Sequence, residues 1–238
     1  MEQLLKALPE LRVKAAIVSE PTSLRPGVAG KGYGLARVTV EGREAHSAFP
    51  QQGVSAIYGA ARLIVWLERE FAQDAVGSVT EDERPGLFDP PRTTWNIGTI
   101  TGGSAKNIIP GECSFLVEWR PVPDDQAGAV AQRLKDLVAD FEQTMPDVRV
   151  SIALLRDEAG FARSGQGALE TRLAKLLDSA PMGISFGSEA SRLASIADEV
   201  IVMGPGDMRT AHSDRECVAV AELEQWTAVL RKLLGAAS

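Results

Sequence analysis

The feature that most constrains the fold is the order of strand-like and helix-like segments between residues 28 and 156. In chain order, the pattern predicts strand 33–43, helix 55–71, strands 93–102 and 113–122, helix 124–143 and strand 147–155. The first strand alternates apolar and polar residues, which indicates one buried face. Both helices have apolar residues at helical spacing. The order β-α-β-β-α-β is that of a ferredoxin-like unit. Residues 28–156 are therefore predicted to form one small domain.

The segments on either side of this unit are too few to make a domain of their own. Residues 14–21 contain a continuous apolar core, which is typical of a strand buried on both faces. After residue 157 the pattern predicts helix 169–177, a loop rich in glycine and serine at 183–191, strand 199–206 and helix 220–234. We expect residues 1–27 and 157–238 to be parts of one α/β domain, which the ferredoxin-like unit interrupts.

Composition excludes several classes of partner. The 238 residues carry a formal net charge of −7, which argues against a nucleic-acid partner because phosphate binding needs a basic face. No apolar run approaches the roughly 20 residues that a membrane span requires. The two cysteines, Cys113 and Cys217, are far apart and form no Cys-x-x-Cys motif. The sequence therefore predicts a soluble, cytoplasmic protein with no membrane partner.

Two candidate residues lie at or after strand ends of the interrupted domain. Glu20, in Glu-Pro-Thr, follows a buried strand, and ligand sites of α/β sheets are built at such ends. By itself it is also explained as a solvated or capping carboxylate. His212 follows the Gly-Pro-Gly turn after strand 199–206 and is one of only two histidines in the chain. Histidine is a frequent metal ligand, which makes His212 a candidate for that role.

Three further candidates lie in the ferredoxin-like unit. His46 is either a structural loop histidine or a hydrogen-bond donor to a developing oxyanion. Gly103, in a Gly-Gly pair, allows a close approach of the backbone or a positive φ. Asn107 offers an amide that donates and accepts hydrogen bonds. For the last two residues, ordinary turn chemistry is the alternative.

Taken together and in order, these motifs resemble the M20 metallopeptidase family, and most closely its acetylornithine deacetylase branch. The segments that carry the resemblance span most of the chain: SEPTSLRP, GREAHSAFPQQGVSAI, NIGTITGGSAKNIIPGECSFLVEWRPVP, SFGSEAS and VIVMGPGDMRTAHSDRE. Several motifs in the right order are far more specific than any one of them. The resemblance implies a zinc-peptidase-like α/β domain with an inserted ferredoxin-like lid that also serves as a dimerisation domain.

The resemblance assigns roles in a site that holds two metal ions, zinc or cobalt. Glu20 matches the glutamate that ligates one metal, and His212 matches the histidine that ligates the other. His46 matches the lid histidine that polarises the scissile carbonyl in the partner subunit's site, which implies a homodimer.

The remaining matches concern the substrate. Asn107 corresponds to a lid asparagine that holds the substrate, and Gly103 shapes the backbone beside it. Glu189 matches the glutamate of a Thr-Glu-Ala element, where a carboxylate suits the ammonium group of ornithine.

The implied activity is hydrolysis of the amide bond of N-acyl amino acids, with deacetylation of N-acetylornithine in arginine biosynthesis as the leading interpretation. Desuccinylation of a succinyl-diaminopimelate substrate and carboxypeptidase action are alternatives within the family. A non-catalytic dimerisation or ligand-binding protein is an alternative outside it.

The chain departs from the family pattern in its metal ligands. The family's upstream His-x-Asp, bridging Asp and Glu-Glu pair have no match, and both histidines are already assigned. We therefore expect the N-terminal half of the metal-binding domain to be missing and the chain alone to be inactive. A truncated chain, a wrong start site, a separate polypeptide and a non-catalytic protein are the open explanations, with a fragment favoured. The lid is nevertheless expected to fold alone.

Overall fold

A computed structural model describes residues 2–73, 87–123, 125–126, 128–162 and 166–235. The chain divides into two compact units. We call Met1–Gly32, Arg84–Asp89 and Gly160–Ser238 the split unit, and Tyr33–Glu83 with Pro90–Ala159 the inserted unit.

The described residues form strands and helices in both units. The strands are β1 (Ala16–Val18), β2 (Gly27–Gly30), β3 (Tyr33–Glu41), β4 (Ala45–His46), β5 (Thr94–Gly102), β6 (Ile108–Ile109), β7 (Glu112–Arg120), β8 (Arg149–Glu158), β9 (Phe161–Ala162), β10 (Met182–Ile184) and β11 (Val200–Val202). The helices are α1 (Glu2–Ala7), α2 (Ala56–Gln73), α3 (Ala129–Thr144), α4 (Ala168–Leu177), α5 (Ala190–Leu193) and α6 (Val220–Leu234), with a 3₁₀ turn at Pro50–Gln52. None of the described helices is long and apolar enough to span a membrane.

The inserted unit is a four-stranded antiparallel sheet with strand order β5-β7-β3-β8. This order, with α2 after the first strand and α3 after the third, is the predicted ferredoxin-like arrangement. Alternate residues of β7 are buried, and they meet the apolar stripes of α2 and α3 in one core. The strand period of two and the helix period of 3.6 thus place apolar side chains on facing surfaces.

Trp119 fixes the packing at one end of this sheet. It lies opposite Gly34 across the β3–β7 pair, and a Cβ at Gly34 would lie 1.8 Å from the indole Cε2. Trp95 packs against Trp119 at a ring distance of 5.6 Å and stacks on Phe71 at 4.0 Å. Full burial of a large apolar side chain is worth about 1.5–3 kcal/mol, so this aromatic cluster is a major part of the core.

The split unit contains a five-stranded mixed sheet with the path β1-β11-β2-β10, and β9 pairs with β2. β1 and β11 are parallel, with Ala16 opposite Val200 and Val18 opposite Val202. β2 runs antiparallel to β11 and parallel to β10. Helix α6 contributes Trp226 and Val229 to a core that includes Ile201 of β11.

The predicted α/β class and the β-α-β-β-α-β order are confirmed. The prediction of a loop throughout 183–191 is wrong, because β10 and α5 overlap it. Such short elements carry no periodic signal, and β10 exists through its pairing with β2. The inserted unit begins at Tyr33, five residues after the predicted boundary at 28, because β2 pairs within the sheet of the split unit.

Candidate functional site

Glu20 lies at the edge of the split unit's sheet where β1 and β11 both end. The two strands are parallel, so their carboxyl ends meet at one edge, and the Met203 N–H donates to the Val18 carbonyl at 2.8 Å. A Cβ at Gly204 would lie 2.8 Å from the Glu20 carbonyl oxygen. Glycine at position 204 therefore lets the two strand ends approach closely.

The loop after β11 folds back over the same edge. The Thr22 N–H donates to the Gly204 carbonyl at 3.1 Å, and the Ser23 N–H donates to the Gly206 carbonyl at 2.7 Å. Ser23, Leu24 and His212 all adopt positive φ although none is glycine. Such backbone strain is concentrated at functional sites in proteins, which marks this edge as a candidate site.

His212 is exposed, with φ of 60°, and the Glu216 carboxylate accepts its backbone N–H at 2.8 Å. This bond stabilises a conformation that costs a non-glycine residue about 1 kcal/mol or more. His212 and the half-buried Glu20 thus belong to loops that leave neighbouring parallel strands.

This edge carries only two of the predicted metal ligands, Glu20 and His212. Carboxylate and imidazole are suitable ligands for zinc and cobalt. Among the described residues, however, no group of three or more His, Cys, Asp or Glu side chains is arranged to hold a metal ion. A catalytic zinc needs three protein ligands and a structural zinc needs four. Glu20 and His212 fit such a site only as part of a larger ligand set.

Glu189 lies directly before α5, where its carbonyl accepts the N–H groups of Arg192 and Leu193. It follows β10, which is parallel to β2 and therefore runs opposite to β11. The carboxyl end of β10 therefore lies at the opposite edge from the carboxyl ends of β1 and β11. Strand direction alone does not place Glu189 beside the loops of Glu20 and His212.

In the inserted unit, a two-stranded ribbon brings His46 and Asn107 together. β4 pairs with β6, and the Ser47 N–H donates to the Asn107 carbonyl at 3.0 Å. His46 Nδ1 accepts the Ala48 N–H at 3.1 Å. A neutral imidazole that accepts at Nδ1 carries its proton on Nε2, so exposed His46 presents an Nε2–H donor. This is the chemistry that an oxyanion donor needs.

Gly103 completes the arrangement predicted for the inserted unit. Its φ of 80° is in the left-handed region that favours glycine, and its N–H donates to the Glu112 carbonyl at 3.3 Å. Gly103 lines a cavity of about 780 Å³ together with Ser47 and Lys106, the neighbours in sequence of His46 and Asn107. The structure therefore places Gly103 in the wall of this cavity, and it places His46 and Asn107 next in sequence to residues that line it.

Sequence reasoning missed an ion pair at the split unit's edge. Arg209 donates to the Asp207 carboxylate, with Nε at 2.9 Å from Oδ2, and these hydrogen bonds lower the pKa of Asp207. Both residues line a cavity of about 450 Å³ with Thr22 and Arg25. The Asp-x-Arg spacing in GDMRT is the sequence signal that points to this pair.

Residues 28–144 match the M20 peptidase dimerisation domain. This chain therefore carries the dimerisation domain of the M20 peptidases. It is 41% identical over 221 residues to acetylornithine deacetylase of Myxococcus xanthus, which covers 93% of this chain and 57% of that protein. It is 30% identical to acetylornithine deacetylase of Aliivibrio fischeri, with coverage of 92% and 56%. This chain thus spans little more than half the length of these relatives.

Solved structures share the fold. A tripeptidase from Staphylococcus aureus superposes with a TM-score of 0.70 at 22% identity, over 96% of this chain and 58% of that one. A di-peptidase from Saccharomyces cerevisiae superposes with a TM-score of 0.67 at 15% identity, over 99% and 61%. At these identities the likeness concerns the fold alone.

Proposed function

We propose that this chain is part of a cytoplasmic amidohydrolase that deacetylates N-acetylornithine in arginine biosynthesis. The observation that carries the proposal is the 41% identity with acetylornithine deacetylase of Myxococcus xanthus, which extends over 93% of the chain and thus over both units. The strained edge that bears Glu20 and His212 supports a site in the split unit.

In this proposal Glu20 and His212 are two ligands of a site for zinc or cobalt. The remaining ligands come from outside the described residues, which hold no group of three or more potential ligands. Glu189 binds the ammonium end of the substrate. Opposite charges at such an exposed position contribute about 1 kcal/mol or less, enough to bias the choice of substrate.

His46 donates its Nε2–H to the oxygen of the scissile carbonyl. The Ala48 N–H holds Nδ1 as the acceptor, so the donor is set before the substrate binds. Asn107, next to His46 in the ribbon, holds the substrate, and Gly103 shapes the loop beside it. Loss of one preorganised oxyanion donor reduces kcat by about 10²–10³-fold.

We also propose a homodimer in which the inserted units associate through β5. This strand is an edge of the sheet, and its sequence TWNIGTITG contains no charged residue. Charged side chains on a free edge oppose pairing with another chain, and β5 carries none, although its pairing with β7 is irregular between Ile97 and Thr99. Ile100 on β5 is 53% exposed, which adds apolar area to such an interface.

The test is a hybrid in which this chain replaces the matching part of the Myxococcus xanthus enzyme. The purified hybrid, loaded with zinc or cobalt, is expected to hydrolyse N-acetylornithine faster than succinyl-diaminopimelate. His46→Ala is expected to lower kcat at unchanged metal content, whereas His212→Ala is expected to lower metal content. A folded, metal-loaded hybrid that does not turn over N-acetylornithine would exclude the proposed substrate. Turnover by this chain alone would contradict the expectation that its metal site is incomplete.

A further inference from the structure

The cavity beside Gly103 lies entirely within the inserted unit. Its walls come from the 3₁₀ turn, the start of α2, and the loop between β5 and β6. The volume of about 780 Å³ lies within the range of small-molecule pockets. Apolar side chains, including Ile57 and Ile109, form part of the wall.

The charge of this cavity has one sign. The structure describes all the residues that line the cavity. Among them, only Lys106 and the phenol of Tyr58 have ionisable side chains, and only Lys106 carries a charge at neutral pH. The other polar side chains are hydroxyls, among them Ser47 and Ser104. An anionic group placed beside the exposed Lys106 therefore meets a cation and no carboxylate among the lining residues.

The loop that carries Lys106 also offers backbone donors. Gly103 turns the chain with a φ of 80°. After the N–H of Gly103, the next backbone N–H of this loop that donates a hydrogen bond is that of Ile108, to the Ala105 carbonyl. Within the described part of the chain, the N–H groups of Ser104, Ala105 and Lys106 make no hydrogen bond to protein. Successive free N–H groups at a turn form anion-binding concavities.

The start of α2 adds to the positive electrostatic potential of the cavity. Ser55 lines the cavity and caps the helix, since its Oγ accepts the Tyr58 N–H at 3.3 Å. The amino end of a helix carries a partial positive charge. The lysine and the free amides of one loop thus act in the same direction as the helix end on another part of the wall.

We propose that this cavity binds a carboxylate and that Lys106 is the residue that selects it. The site rests on the proposed function: it takes the free carboxylate of the N-acyl amino acid, while the apolar wall receives the rest of the molecule. A neutral amide of the same size loses the ionic contact with Lys106. An exposed ion pair is worth up to about 1 kcal/mol, which corresponds to about a fivefold preference in Kd.

The test uses the intact chain and needs no metal or turnover. N-acetylglycine, its neutral analogue N-acetylglycinamide and inorganic phosphate are titrated while the backbone amide signals of Gly103, Ser104 and Lys106 are followed by NMR. We expect N-acetylglycine to shift these signals and to bind about fivefold more tightly than the amide. Lys106→Gln should remove this preference, and Lys106→Arg should keep it.

Lys135→Gln is the matched control, since it removes a cation from α3 of the same unit and should leave the preference unchanged. Equal affinity for acid and amide, an undiminished preference in Lys106→Gln, or no shift of these amides would overturn the proposal. Phosphate binding as tight as N-acetylglycine would overturn the assignment to a carboxylate. A hybrid enzyme that is inactive on N-acetylornithine while this preference persists would refute the proposed function alone.

Discussion

At the scale of single residues, Gly204 is the position where one added methyl group should matter most for the split unit's edge. A Cβ there would lie 2.8 Å from the Glu20 carbonyl oxygen and 3.1 Å from the Ser19 carbonyl carbon. Because both neighbours are backbone atoms, the strand ends must separate, at a cost of about 1–3 kcal/mol. Gly204→Ala should therefore lower the free energy of unfolding in a urea titration.

Gly98→Ala is the control for this substitution. A Cβ at Gly98 meets only the side-chain nitrogen of Asn96, at 3.4 Å. If both alanine variants were equally stable, the close approach at Gly204 would not constrain the edge.

The two cysteines should differ in reactivity. Cys113 is buried, and burial raises the pKa of its thiol, whereas Cys217 is exposed. A thiol reagent should label only Cys217 in the folded chain and both residues in denaturant. Labelling of Cys113 at the same rate as Cys217 would contradict the packing of β7.

Because the pKa of Cys113 is raised in the folded state, the free energy of unfolding should fall as pH rises. The neutral thiol is favoured in the folded state, so its contribution is complete below the unfolded pKa of about 8.5 and is lost as pH rises through the higher folded pKa. The difference in unfolding free energy between the native chain and Cys113→Ala should shrink above about pH 8.5. A difference that stays constant up to the folded pKa would refute the shift.

At the scale of secondary-structure elements, Glu199 links a helix to the central sheet of the split unit. Its carboxylate accepts the N–H of Leu169 at 3.0 Å and that of Glu170 at 2.8 Å, at the first turn of α4. Glu199 is 7% exposed and directly precedes β11. The residue thus caps a helix that is distant from it in sequence.

Glu199→Gln should therefore destabilise the split unit by about 1–2 kcal/mol, because an amide has one acceptor oxygen for two helix donors and no charge to oppose the helix dipole. The measurement is the midpoint of urea unfolding. Glu224→Gln, an exposed change on α6, should have little effect and serves as the control. Equal urea midpoints for the two variants would contradict the role of Glu199 as a helix cap.

The secondary structure was predictable where a period of two or 3.6 extends over many residues. Strands β3 and β7 and helices α2 and α6 lie within a few residues of their predicted bounds. The short strands β2 and β10 were missed, since three or four residues carry no period and their stability comes from pairing.

At the scale of the whole molecule, the proposed dimer predicts that an added charge has different effects on the two edge strands of the inserted unit's sheet. Ile100→Lys places a charge on β5 and should shift the chain towards a monomer in light scattering coupled to size exclusion. Leu154→Lys changes the opposite edge strand, β8, at a side chain that is 45% exposed, and should leave the dimer intact. A dimer that survives Ile100→Lys but not Leu154→Lys would move the interface to β8.

Residues 28–156 should fold without the rest of the chain. The sheet except for the last two residues of β8, both of its helices and the aromatic cluster around Trp119 lie within this range. A circular dichroism spectrum with helix and strand bands and a cooperative thermal transition is expected. A random-coil spectrum would show that the inserted unit depends on the split unit.

Sequence alone was sufficient to predict the class of the fold, the order of elements in the inserted unit and the residue types of the candidate site. These properties are local: periodicity marks each long element, and motifs such as Glu-Pro-Thr and Gly-Gly need only neighbouring residues. The tertiary structure decided which loops meet. It placed the loops of Glu20 and His212 at one strand edge, left His46 with a free Nε2–H donor, and put the exposed Lys106 at a cavity whose lining contains no acidic residue. Those outcomes depend on pairings between residues far apart in the chain, which no local pattern encodes.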